Sequence, residues 1–182
     1  MHLLKFLLAA AGLVAACGRP AAARAQGGEQ LLFVGTKVGP GVGAYNSTTL
    51  ITGADVRAQF PLSPQAAIIA RTGLEPFFYK RYYYGGYYYY YSYTERVMAL
   101  QIPVTVGPRF YVHKGLHAGL NLGVDIGVKD ALTAFHFEPA VGYALRLSNG
   151  RYLDLGTSFT TSFGRGSGEF AFSFAYGLKL GR

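Results

Sequence analysis

Few residues in this sequence combine the side chains and spacing that chemistry needs. His136 and Glu138 stand two apart in one segment, and Ser162 lies in a later one. If Ser148-Asn149-Gly150 is a three-residue turn, Leu147 pairs with Arg151 and His136 comes opposite Ser162. Glu138 then lies one inward step from His136. Serine, imidazole and carboxylate together are the parts of a nucleophilic hydrolase. The plainer reading is a polar network that satisfies charges enclosed by a sheet. That reading is favoured, because the trio faces inward whereas an enzyme acting on membrane lipid would work on the outside. No enzymatic activity is therefore expected, with a lipid hydrolase as the alternative. His113 falls in a turn and His117 is alone in its segment, so neither suggests a metal site. Gly39, Gly41 and Gly43 are the small-residue face of a strand; no helical pattern follows, as a phosphate loop would require. No cofactor or metal is expected.

The elements that position these residues are strands. From Leu116 to Val128 every second residue is apolar: Leu116, Ala118, Leu120, Leu122, Val124, Ile126 and Val128. Between them stand His117, Gly119, Asn121, Gly123, Asp125 and Gly127. Successive strand side chains point to opposite faces, so this is one strand with an oily face and a polar face. It is longer than the usual soluble strand of about 5–6 residues, and long enough for the roughly 9–11 of a transmembrane strand. Seven further segments repeat the pattern, at about 31–44, 51–60, 66–75, 93–112, 133–147, 152–163 and 170–180.

The charges follow one phase. Lys37, Asp55, Arg57, Arg71, Glu75, Glu95, Arg109, Asn121, Asp125, His136, Glu138, Arg146 and Asp154 all fall on the polar face of their segments, and are expected to form a lumen network. The apolar phase carries no charge in mid-strand. Eight long strands with oily faces fit a closed barrel whose outside meets lipid. Eight staves leave an interior only wide enough for side chains, so the lumen should be filled. His113-Lys114-Gly115 and Ser148-Asn149-Gly150 look like three-residue hairpin loops ending in Gly. An odd loop preserves the parity of the polar phase, as both flanks require. Pro40, Pro76, Pro103, Pro108 and Pro139 sit in or near strands, where bulges or ladder breaks are expected, because a closed sheet has no edge to hold them.

Composition agrees. Of 182 residues, 25 are Gly, 15 Tyr and 13 Phe, and charges are few. That balance favours β structure. Residues 1–25 read as a signal peptide: Lys5, an apolar run from Leu3 to Ala16, and a small-x-small site at Ala23-Arg24-Ala25. Cleavage there is preferred over lipidation at Cys17, which follows Val14-Ala15-Ala16. It leaves a short segment 26–30, a barrel over 31–182, no cysteine, and 14 basic against 9 acidic residues. The basic residues are scattered singly and the chain is exported, so nucleic acid is not an expected partner.

From Tyr79 to Tyr93 there are ten tyrosines around Gly85-Gly86. This tract reads as a protruding hairpin, with Tyr82, Tyr83, Tyr84, Tyr87, Tyr88, Tyr89, Tyr90 and Tyr91 as an external binding surface. A low-complexity loop joined to an interfacial aromatic belt is the more conservative reading.

Leu100-Gln101-Ile102-Pro103-Val104-Thr105-Val106 leading to Arg109-Phe110-Tyr111, the signal peptide, and the last strand Tyr176-Gly177-Leu178-Lys179-Leu180 together carry a resemblance. The chain resembles the small outer-membrane β-barrel family of Gram-negative bacteria, PorT-like members included, with an architecture like OmpX and the OmpA barrel. The resemblance covers nearly all of 31–181. It implies an all-β, closed, eight-stranded antiparallel up-and-down barrel in the outer membrane, with short periplasmic turns. It implies outer-membrane lipid and the barrel-assembly machinery as partners, and no shared activity. The expected role is structural or surface-binding, as a monomer, toward an unidentified surface ligand. The alternatives are a small porin-like pore, the lipid-modifying enzyme above, and a soluble lipocalin-like barrel with the apolar phase inward.

Overall fold

The computed structural model describes residues 29–42, 48–84, 92–163 and 168–180, and within these the side chains other than those of 48–49, 81–84, 92–94 and 162–163. The signal peptide, Cys17, Tyr87–Tyr91, and the side chains of Tyr82, Tyr83, Tyr84 and Ser162 lie outside this description.

Nine β segments form one sheet: β1 (Leu31–Gly39), β2 (Gly41–Val42), β3 (Thr48–Ser63), β4 (Ala66–Tyr84), β5 (Ser92–His113), β6 (Leu116–Lys129), β7 (Ala134–Arg146), β8 (Tyr152–Phe163) and β9 (Gly168–Lys179). All pairings are antiparallel and each long strand pairs with the next. β1 also pairs with β9, which closes the sheet, and β2 continues β1 along β9 beyond Pro40. The result is a closed up-and-down barrel of eight staves. Where the staves close on one another no edge is left, so the backbone groups there are satisfied within the sheet.

The inside is polar and the outside is apolar. On β6, Asp125 is fully buried while its neighbours Val124 and Ile126 are 41% and 42% exposed. The same alternation exposes Val34 and Val38 beside buried Lys37, and Val104 and Val106 beside buried Thr105. A soluble lipocalin-like barrel needs the reverse arrangement, so that expectation is corrected. Two small apolar clusters are enclosed as well. Leu31, Phe33, Tyr152 and Ala175 form one; Ile51, Phe77 and Ala99 form the other.

Proline acts on the ladder as its missing N–H requires. Pro103 keeps its pairing with Asp125 on β6, but on the β4 side the ladder runs from Thr72↔Val104 to Glu75↔Gln101 with no pair between. Pro108 keeps Ile68 on β4 and interrupts the β6 side. Pro76 keeps Leu100 and interrupts the β3 side, and Pro139 keeps Leu120 and interrupts the β8 side. Register is unchanged across each gap, so these are ladder breaks and not bulges.

The turns hold the expected parity. Leu147 donates to Arg151 O at 2.8 Å, and Gly150 has φ +74°, so Ser148–Gly150 is a three-residue loop and His136 pairs with Ser162. At the other expected three-residue loop, His113 pairs with Leu116 instead. Only Lys114 and Gly115 are in the turn, both at positive φ (36° and 104°), with a register shift between Tyr111 and His113. Two residues at positive φ match the right-handed twist of the flanking strands. β4 and β5 outrun their neighbours. β3 reaches β4 only as far as Tyr79, and β6 meets β5 only from Leu100. Residues 80–84 and 92–96 therefore pair only with each other among the described residues.

Candidate functional site

The candidate site is the lumen. It is built from alternate residues of every long strand, because a closed sheet turns one whole phase inward. Glu138 on β7 is its centre. Arg71 Nη1 donates to both Glu138 oxygens at 3.0 Å, Asn121 Nδ2 donates at 2.9 Å and Thr160 Oγ1 at 2.9 Å. Lys37 Nζ lies 3.6 Å from Glu138 and 2.7 Å from Glu75. Arg71 also donates to Glu75 and, at 3.1 Å, to Asp55, whose carboxylate holds Arg57 through two bonds of 2.8 and 2.9 Å. Gln101 Nε2 donates to Glu75 at 3.3 Å.

A second knot centres on Asp154 of β8. Arg109 Nη1 donates to it at 3.0 Å, His117 Nε2 lies 2.7 Å away, and Arg57 Nη1 stands at 3.8 Å. A third joins His136 Nδ1 to Asp125 at 2.8 Å and sets His136 Nε2 at 3.6 Å from Glu138. Fork-shaped guanidinium groups that bridge two or three carboxylates are the arrangement that makes buried charge tolerable. Toward the end with the short turns, Tyr111 donates to Gln59 at 2.7 Å and Gln59 donates to the Glu29 carbonyl at 3.3 Å. The Glu29 carboxylate accepts from Tyr152 and Lys179 and lies 3.8 Å from Arg146. This polar cap sits on the cluster of Leu31, Phe33 and Tyr152.

A cavity of about 30 Å³ lies among these side chains. Its lining includes Lys37, Arg57, Arg71, Arg109, His117, Glu138 and Asp154.

Lys37, Asp55, Arg57, Arg71, Glu75, Arg109, Asp125, His136, Glu138 and Asp154 are buried, and Asn121 is half-buried. Two assignments are corrected. Glu95 is exposed, because it lies on the part of β5 that has outrun β6. Arg146 is 60% exposed at the mouth, where it meets Glu29 in place of the network. Both lie on the inward phase but beyond the closed part of the lumen. His117, set aside as isolated, belongs to the Asp154 knot. Gln59, Gln101, Tyr111, Thr160 and Glu29 also take part without having been singled out. The inward phase could have found all but Glu29, which precedes the first strand. A Cβ at Gly123 would lie 2.0 Å from Val104 O, so that glycine admits the β5 backbone. Gly142, Gly168 and Gly177 make room for side chains, of His117, Phe159 and Phe33; at Gly142 a Cβ would lie 2.6 Å from His117 Cε1 and 2.7 Å from Leu155 O.

His136 is buried with both ring nitrogens against carboxylates. No group of three or more His, Cys, Asp or Glu side chains with metal-binding geometry occurs among the described residues.

No protein-family model matches this chain, and no curated protein matches it. Among solved structures it is similar to a chain described under the words "De novo design of transmembrane beta-barrels". The two share 15% sequence identity with a TM-score of 0.44, over 81% of this chain and 95% of that one.

Proposed function

We propose that this protein is an integral β-barrel of the bacterial outer membrane, of the small PorT-like and OmpX-like kind, with a structural or surface-binding role. The reading rests on inverted polarity. Phe172, Val34, Phe110 and Val106 are more than half exposed on the outer wall, while Asp125, Glu75 and His136 are wholly enclosed. Apolar area of this extent has no stable place in water but is at home in hydrocarbon. The ion pairs that cross the lumen argue against a pore. What projects is the β4–β5 hairpin, whose tip sequence is tyrosine-rich and whose edges beyond Tyr79 and Leu100 pair with neither β3 nor β6 among the described residues. Uncovered strand edges and tyrosine are both suited to holding a surface ligand.

Fractionation and gel migration test this. The protein should be extracted only with detergent from the outer-membrane fraction and migrate faster on gels when unheated than when boiled. Recovery from the soluble periplasm would overturn the reading. Planar-bilayer recordings should show no conductance steps; regular steps would restore the pore.

A further inference from the structure

The end of the barrel that carries the short turns is electrostatically one-sided. Lys114 lies in the β5–β6 turn, and Gly115 O accepts from Ala144 N at 2.9 Å, which brings this turn beside the end of β7. Arg146 ends β7 and pairs with Tyr152, which pairs in turn with Gly177 of β9, two residues from Lys179. Arg151 lies over the Tyr176 ring at 5.8 Å, and Arg146 over the Tyr152 ring at 6.0 Å. Lys114, Arg146, Arg151 and Lys179 are thus exposed on one continuous arc from β6 to β9. The opposite arc, Ser63-Pro64-Gln65-Ala66, has no charge. Glu29 is the acidic residue of this end among the described residues. It lies 3.8 Å from Arg146 and 3.4 Å from Lys179, and is paired with these two and not with Lys114 or Arg151. Directly up the outer wall from these two cations, Leu145, Leu147, Leu155 and Leu178 are about 40% exposed.

We infer that this arc is a binding site for an anionic glycerophospholipid, with Lys114 and Arg151 on the phosphate and the leucine wall beneath the acyl chains. The inference rests on the membrane reading above. Cations next to an apolar wall suit a headgroup at the interface. The guanidinium of Arg151, stacked on Tyr176, is held at the place where phosphate would lie. A basic cluster near an anionic lipid surface gains attraction from each Lys or Arg, whereas a zwitterionic headgroup offers no net charge to it. The same arc would favour the orientation that sets the short turns in the leaflet richer in anionic phospholipid.

The test uses the full chain folded in zwitterionic detergent micelles, titrated with short-chain phosphatidylglycerol and followed by amide NMR. Signals of Lys114, Arg151 and their neighbours should shift and saturate, and the response should weaken with added salt. Short-chain phosphatidylcholine and inorganic phosphate should leave them unmoved. The double variant Lys114→Gln, Arg151→Gln should bind phosphatidylglycerol roughly tenfold more weakly or worse, with lumen signals unchanged. Equal response to phosphatidylcholine, equal response to inorganic phosphate, or undiminished binding by the variant would each overturn the lipid site. A chain that stays folded and monomeric without detergent would overturn the membrane reading itself.

Discussion

Glu138 is the residue on which most of the lumen depends. Its two oxygens receive Arg71, Asn121 and Thr160, with Lys37 and His136 close by. Removing it would leave Arg71 and Lys37 enclosed with too few partners. Glu138→Ala should therefore cost about 3–5 kcal/mol in urea unfolding from lipid vesicles. A cost below about 1 kcal/mol would show that water takes over the site. A separate test isolates the His117–Asp154 contact. Gly142→Ala places a methyl 2.6 Å from the His117 ring and 2.7 Å from Leu155 O, so it should loosen the His117 contact and cost about 1–3 kcal/mol. In a His117→Ala background the same change should cost less, because only the approach to Leu155 O remains. Additive costs in this double-mutant cycle would contradict the packing account.

At the scale of the element, each in-strand proline faces its missing donor toward one neighbour and keeps the other. Pro139→Ala should be nearly neutral, since the β8 side of that position carries no pair to lose. Ala140→Pro should lower stability clearly, by about 1–3 kcal/mol, because the adjacent position pairs on both sides, with Gly119 and Ser158. Urea midpoints of the two variants check this, and equal midpoints would refute it. The strands themselves were legible in the sequence because their signal is local. Period-two alternation from Leu116 to Val128 identifies both the strand and its polar face without reference to any other residue. What alternation cannot state is depth. Glu95 and Arg146 share the inward phase with Asp125 and Glu138, yet they lie past the ends of the closed wall and meet solvent. Partners across the barrel were equally illegible. His117 looked isolated because Asp154 is 37 residues away, and closure of the sheet is what brings them together. Leu31 and Phe33 hide in the same way, as inward apolar residues in a phase otherwise read as polar.

At the scale of the molecule, one phase of the sequence solvates charge and the other is left to the surroundings. The lumen is filled by ion pairs and capped by Glu29 at the turn end, and the outer wall is bare hydrocarbon from Val34 through Leu178. A membrane location therefore requires that hydrocarbon, and not water, touches that wall. The most direct measurement is methyl NOE spectroscopy of the protein in micelles. Val104, Val124 and Ile126 methyls should show cross-peaks to detergent acyl-chain protons and none to water. Cross-peaks from these methyls to water, with none to acyl chains, would contradict the claim that the apolar face meets lipid.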